Sequence, residues 1–391
     1  MRRSSLFSLV GLSVGLGVCI AGSAIPETAH SDPLPAISAT DAFVEGDCHR
    51  CHTVPEVPAA PRLDSCEGCH VWIRSVSASP SKREKAMSIF PHWERYERNI
   101  ASYLEVPSLE VAMARLEPEW VRGYLADPHD LRPNLPETMP RFGLSEQAID
   151  AIVTAFEARQ RPVAPTPTPL AANVERGREL FTARACGSCH TFGSHASGAV
   201  PLAPDLAHAR ARMSNDAIVA WIQDPQAVSP AATMPNFGLT RDEAIAIRDF
   251  LVLEDPRGRV PRALGPLPAP TSAPVTWAEV EERVFGKICV HCHMNPELNQ
   301  GRAGPGNDGG FGWAATGIEL QTYEGVRAVA DRIPAALERR RHEAARDDVS
   351  AGELPVRLDR PERPGMPLGL PPLSDEDTAL VLGWIAQGMP R

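Results

Sequence analysis

The hydrophobic positions of this chain fall into helical spacing. Val280, Val284 and Ile288 stand four apart on the approach to Cys289, the stripe of an amphipathic helix. Further helices are predicted from Asp41 to Val44, from Tyr96 to Leu104, up to Phe156, from Gly177 through Phe181, and up to Leu251. A last helix carries Leu382, Trp384 and Ile385; Ser374 is its N-cap, Asp377 holds the capping-box position, and Gly388 stops it. No long alternation of Val, Ile and Thr is present, which sets aside an all-β or Rossmann arrangement. One segment differs. From about Leu6 to Gly22 the chain is apolar and uncharged, behind Arg2 and Arg3 and ahead of Ala21-Gly22-Ser23-Ala24. That is the order of an export signal, with a cut near Ala24. The run also reaches the lower edge of a bilayer span, so an uncleaved anchor over 1–24 is the alternative. Val18 before Cys19 is branched, which argues against lipidation there.

Composition changes the picture in one respect. The chain has 391 residues, 43% hydrophobic and 23% charged, as in a folded protein. At roughly 100–200 residues per domain, two to four domains are expected. Yet it carries only 11 Phe, 7 Trp and 4 Tyr. Either the cores are small or something other than side chains fills them. The net charge of −10 lacks the basic footprint of a nucleic-acid binder. Ten of the 39 prolines fall in two tracts, Arg161 to Leu170 and Pro256 to Val275, which read as semi-rigid polyproline spacers.

Eight of the nine cysteines form four pairs with two residues between: Cys48 and Cys51, Cys66 and Cys69, Cys186 and Cys189, Cys289 and Cys292. Histidine follows each pair directly, at His52, His70, His190 and His293. Disulfides suit an exported chain but explain no histidine; zinc ribbons use such pairs but need no histidine at that position. Chance would place four histidines there on the order of one time in a million, given the CxxCH haem-attachment motif as the competing account. Two thiols three apart share a helical face and reach two vinyl groups on one porphyrin edge. The next residue then binds the iron from the proximal side. Four covalently attached haem c groups are therefore expected, and they account for the missing aromatics.

Two stretches repeat. Val106-Pro107-Ser108-Leu109, Trp120-Val121, Asp127-Pro128 and Thr138-Met139-Pro140-Arg141-Phe142-Gly143-Leu144 recur as Ala203-Pro204-Asp205-Leu206, Ile218-Val219-Ala220-Trp221, Asp224-Pro225 and Thr233-Met234-Pro235-Asn236-Phe237-Gly238-Leu239. This is a duplicated domain. The order of helix, CxxCH, Pro-x-Leu loop, helix ending at Asp-Pro, Met-Pro loop and closing helix resembles class I cytochrome c, and residues 172–254 match throughout. The resemblance implies His190 and Met234 as an axial pair, and the repeat extends that role to Met139. The C-terminal part, with its Gly-rich insert from Gly301 to Gly317, also resembles such a domain. There the resemblance implies His293 with Met366; Met389 is the rival. A thioether ligand stabilises ferrous iron and raises the potential.

The fourth site stays open. Residues 41–160 hold two CxxCH motifs and one Met-Pro loop. The Cys66 motif follows a Pro-rich loop and reads as an insertion, which favours pairing Met139 with His52; the converse pairing with His70 is the alternative. His92 is then the candidate distal ligand for the His70 haem, with His129, Met87 and His49 as rivals. With none of them bound, that iron is five-coordinate and open. His195, His208, His291 and His342 read as surface residues or propionate partners, and Glu338-Arg339-Arg340-Arg341 as a solvated helix face.

The sequence thus predicts a mostly α chain with little β: three tandem cytochrome c-like domains joined by Pro-rich linkers. A signal over 1–24 and a spacer over 25–40 precede a dihaem domain, 41–160. A linker, 161–171, leads to a monohaem domain, 172–255, and a second linker, 256–274, to a last monohaem domain, 275–391. The chain resembles a multihaem c-type cytochrome. That resemblance implies a periplasmic carrier of single electrons between donor and acceptor proteins, with membrane association through the N-terminal segment if it is retained. The competing expectation is a haem enzyme, a peroxidase or oxyanion reductase, with an open iron at His70.

Overall fold

The structure is a computed structural model that describes residues 37–61, 64–90, 93–94, 97, 100, 106–128, 131–133, 139–159, 169–170, 173–254, 265–346 and 363–391. The predicted signal over 1–24 lies outside the described residues. Residues 37–391 form one compact unit. It is mostly helical, and the described strands are two residues each, β1 (Thr191–Phe192) pairing antiparallel with β2 (Ala196–Ser197). Among the described residues no helix is long and apolar enough to cross a membrane.

The helices gather around three main hydrophobic cores. In the first, α1 (Ala39–Glu45) contributes Phe43, while Trp120 and Leu125 come from the later helix Pro118–Ala126 and Ile152 and Phe156 from Glu146–Arg159. Between α1 and those helices, α2 (Cys66–Ser77) and α3 (Pro80–Ile89) form a hairpin with its own small core of Ile73, Val76, Ala86, Trp93 and Ile100. The helices of the first core that follow are α4 (Pro118–Ala126) and α5 (Glu146–Arg159). The second core lies between α6 (Val174–Ala183), α7 (Asn215–Gln223) and α8 (Arg241–Leu253). Gly177 is required where α6 crosses α8, since a Cβ there would run into the Ala246 carbonyl. The third core joins α9 (Trp277–Val280), a π turn (Glu281–Phe285), α10 (Ile333–Arg346) and α11 (Asp375–Ala386).

Local chemistry sets the ends of these elements. Thr240 and Glu243 form a reciprocal capping box that starts α8. Ser374 caps α11 by accepting the Asp377 N–H at 3.0 Å. The Asp377 carboxylate turns instead to Arg283, at 2.7 Å, so it ties α11 to the π turn. The helix ends before Gly388, whose φ of +82° only glycine adopts without strain.

Two expectations meet a different arrangement. Arg340 and Arg341 are buried, not solvated. Arg340 donates to the Leu370 carbonyl at 2.8 Å, and Arg341 donates to the Gly265 carbonyl and pairs with Asp375. The run looks like a surface stripe in sequence because its carbonyl and carboxylate partners lie far along the chain. The second Pro-rich tract, from residue 265 onward, lies against the third core: Thr271 donates to the Ala379 carbonyl, and Leu267 packs on the cluster. At the first tract, the Pro169 carbonyl accepts from Arg248, which is fully buried with its ion-pair partner Asp249.

The first and second cores meet at equivalent positions of the repeat. Leu116 and Met213 form an antiparallel bridge, and the Glu117 N–H donates to the Arg212 carbonyl at 3.0 Å. Counting back from Asp127-Pro128 and Asp224-Pro225, Leu116 corresponds to Met213 and Arg115 to Arg212. Each arginine crosses to the other side: Arg115 lies 4.6 Å over Trp221, and Arg212 lies 5.8 Å over Trp120. The junction is thus pseudo-twofold.

Candidate cofactor site

Three of the four CxxCH motifs adopt one shape. Cys48–Arg50, Cys186–Ser188 and Cys289–His291 are single 3-10 turns, and each following histidine N–H donates to the carbonyl of the first cysteine. Left-handed residues, Asp47 and Ala185, introduce the first two turns. The Cys66 motif is different. Ser65 accepts the Gly68 N–H at 2.8 Å and so starts an α-helix at Cys66, which places Cys66, Cys69 and His70 inside α2.

The imidazoles of the three alike motifs are oriented by carbonyls. His52 Nδ1 donates to Pro107 O at 2.7 Å, His190 Nδ1 to Pro204 O at 2.9 Å, and His293 Nδ1 to Ile318 O at 3.0 Å. Pro107 and Pro204 are the equivalent prolines of the repeated Pro-x-Leu loops. An Nδ1–H bonded this way leaves Nε2 as the lone-pair nitrogen, the form that ligates a metal. Burial lowers the proton affinity of all three rings, against the opposing pull of the carbonyl, and keeps them neutral. Burial also holds His70 down to about 4, helped by the nearby charges of His291 and Arg74.

None of the eight described cysteines is in a disulfide. Burial pushes the Cys48, Cys289 and Cys292 thiols up to about 12. Cys66 goes the other way, because a hydrogen bond from Cys51 outweighs its burial. That bond joins two different motifs. The Cys292 thiol is close enough to Cys66 and Arg50 to feel their charge. Ser65 Oγ–H donates to Arg50 O at 3.3 Å, and Arg302 lies 4.0 Å from Asp64. Three motifs therefore converge, two from the first core region and one from the third.

Met139, Met234 and Met366 are all half-buried in loops. Met139 packs on the first core. The Met234 loop is pinned from within its own repeat: Gln226 Nε2 donates to the carbonyls of Ala232, at 3.0 Å, and Met234, at 2.7 Å. Met366 N–H donates to Ala336 O. The rival Met389 packs on the third core, and its carbonyl accepts from Tyr323. His92 and His129 lie outside the described residues. Met87 is exposed, and His49 stands on the first turn with its Nδ1 buried and without a hydrogen-bond partner among the described residues. His208, expected at the surface or beside a propionate, is buried at 3% exposure, while His195 sits 3.5 Å from Glu254.

The residues present fit a haem with its two carboxylates. Cysteine pairs outside any disulfide precede neutral, oriented imidazoles. The buried Nε atoms of Arg115 and Arg212 find no hydrogen-bond partner among the described residues. Burial, with the charge of Arg132, pulls Arg115 down to about 10, and burial, with the charges of Arg115 and Arg132, pulls Arg212 down to about 9. Two half-buried cations whose Nε atoms are turned away from water suit an anionic group. The arginines escaped the sequence reading; their only signal was an equal distance from the two Asp-Pro pairs. Among the described residues no group of three or more His, Cys, Asp or Glu side chains is placed to hold a metal ion. A His/Met iron site, with two protein ligands, is not of that kind.

The family described as cytochrome C oxidase, cbb3-type, subunit III, matches residues 172–251. The matched segment is the second core with its CxxCH turn and Met-Pro loop, and it links this part of the chain to the cytochromes. No curated protein and no solved structure matches the chain.

Proposed function

We propose that this chain is a periplasmic tetrahaem c-type cytochrome, built of three cytochrome c-like domains, that carries single electrons between a donor and an acceptor protein. The observation that carries the reading is the shared pose of His52, His190 and His293, each directly behind a pair of cysteines outside any disulfide and each with Nδ1 bound to a carbonyl. The match of residues 172–251 to a cytochrome family supports it for the second domain. When bound, haem c supplies an iron that cycles between Fe(III) and Fe(II), one electron at a time.

The chain's part is to hold and tune. Eight cysteines form the thioethers, and four histidines bind from the proximal side. Met139, Met234 and Met366 serve as distal ligands. Met139 pairs with His52 on this reading, because His52 is bonded to the Pro107 loop just as His190 is bonded to the Pro204 loop of the Met234 repeat. Arg115 and Arg212 receive propionate carboxylates. The acidic chain docks basic partner faces, in a salt-sensitive way.

A second reading has its own observation. The Cys66 motif is built into an α-helix, unlike the other three, and His70 is the site whose distal ligand is unassigned, with His92 as candidate. An open iron there would make the protein a haem enzyme acting on peroxide or an oxyanion. A carbon monoxide difference spectrum of the reduced, purified chain, with haem counted in the same sample, decides. Four haems without a shift establish the carrier; a shift in about one haem of four, on the closed-versus-open criterion, establishes the enzyme; fewer than four haems overturn the tetrahaem reading.

A further inference from the structure

The four attachment motifs do not follow one another in space as they do in sequence. The first and second touch: the Cys51 thiol is hydrogen-bonded to the Cys66 thiol, and Ser65 Oγ–H donates to the Arg50 carbonyl at 3.3 Å. The second and fourth are neighbours as well. Arg302, in the insert after the fourth motif, reaches Asp64 beside the second at 4.0 Å, and the imidazoles of His70 and His291 lie within electrostatic reach. The same insert is folded onto its own motif, since the Gly306 N–H donates to Cys292 O at 2.7 Å. Gly310 of the insert packs so closely on Asp47, the residue before Cys48, that a Cβ would not fit.

The third motif enters from the other side. It belongs to the second core, which meets the first at the pseudo-twofold junction of Arg115 and Arg212. There the Asp205 N–H, one residue beyond the carbonyl that holds His190, donates to Leu131 O of the first repeat at 2.9 Å.

We infer that the chain lays its motifs out as one line, in the order His190, His52, His70, His293. The inference rests on the tetrahaem reading above and adds the route. The inserted motif at His70 has thiol neighbours in both the first and the fourth motif, and the motif at His190 is an end, although it stands third in sequence. Haems held on neighbouring thiols would stand near one another, and electron tunnelling weakens steeply with distance. Each transfer oxidises one ferrous iron and reduces its ferric neighbour, with one electron moved and no atom exchanged.

The test is electron paramagnetic resonance of the fully oxidised chain, with haem counted per chain. The wild type is compared with the double variant Cys66→Ser/Cys69→Ser, and the His190 signal is assigned as the one that Met234→Ala shifts. The expected wild-type spectrum has mutually broadened ferric signals from the His52, His70 and His293 sites. In the double variant three haems remain, the His52 and His293 signals sharpen, and the His190 signal is unchanged. If the variant does not fold, wild-type power saturation decides alone: three signals with relaxation enhanced by their neighbours support the line. Four haems with four sharp, independently saturating signals overturn it, as does a His190 signal that responds to loss of the His70 haem while the His293 signal does not. A wild-type count below four haems overturns the reading beneath it, and the count tells the two failures apart.

Discussion

The Trp313 indole donates its Nε1–H to the Arg141 carbonyl at 3.0 Å, so the Gly-rich insert between Gly301 and Gly317 holds the Met-Pro loop of the first repeat. The contact is close-packed. Gly143 N–H donates to Phe311 O at 3.0 Å, Phe311 is buried in the first core, and a side chain at Gly143 would collide with Gly312 and Trp313. Arg141 itself is buried between Asp127 and Glu343 of α10. The equivalent loop of the second repeat depends on Gln226 of its own domain instead. The Met139 loop is thus held by the distant Gly-rich insert, and the Met234 loop by its own repeat.

Trp313→Phe keeps the ring and removes the donor. We expect a loss of about 1 kcal/mol of stability, the net value of one hydrogen bond. The far-red methionine–ferric charge-transfer band of one haem should weaken, while the haem count stays at four. Gln226→Ala should act in the same way on a different haem, and the two effects should add because the two loops share no hydrogen bond among the described residues. A Trp313→Phe protein with an unaltered band would show that the insert holds the domains together without positioning Met139.

Met139→Ala, Met234→Ala and Met366→Ala should each remove about one third of that band, since the thioether–iron bond is its source. All four haems should remain attached, because the thioethers to cysteine are untouched. Each variant should also lower one midpoint potential in a spectroelectrochemical titration. A full-strength band in Met366→Ala would transfer the role to Met389, which also precedes a proline.

The junction of the first two cores gives a prediction about charge. Arg212→Gln removes a buried cation that lies over Trp120 and beside Arg115. A cation near an iron favours the reduced state, which carries one positive charge fewer. The potentials of the His52 and His190 haems should both fall, and that of the His293 haem should stay. Equal shifts at all haems would mean a general loss of packing instead.

Much of the local order was legible, and its reasons are local. The caps at Ser374 and the stop at Gly388 are read from a few adjacent residues, and the structure places them as expected. The helix behind Cys289 follows from Val280 and Val284, both buried in the third core. What stayed hidden depends on long-range partners. Arg340 and Arg341 read as a solvated face because Leu370, Gly265 and Asp375 are distant in the chain. Trp313 was visible inside the insert, but nothing near it in sequence names Arg141 as its acceptor. Cys51 and Cys66 were visible as members of separate motifs, and only the fold brings their thiols together. The distinct shape of the second motif lay in plain sight as Ser65, a helix N-cap directly before Cys66.

The hairpin that carries His70 should have its own pH dependence, because a single carboxylate ties it together. Glu97 accepts from Arg83 through two nitrogens, from Ser77 at 2.6 Å and from the Trp93 indole at 2.6 Å. These donors, the Arg83 hydrogen bond first, hold Glu97 down to about 2 from an ordinary 4.5. A depressed carboxyl stabilises the fold fully above its unfolded value, and that contribution is lost as pH falls through the folded value. The hairpin should therefore loosen as pH drops from about 4.5 toward 2. Trp72 and Trp93 stand edge to face at 5.4 Å inside it, so their near-ultraviolet signal reports the change. Glu97→Gln keeps the shape but gives up the charge, and should shift that transition out of the acid range while weakening the hairpin at neutral pH. An acid transition that is identical in wild type and Glu97→Gln would assign the effect to other carboxylates.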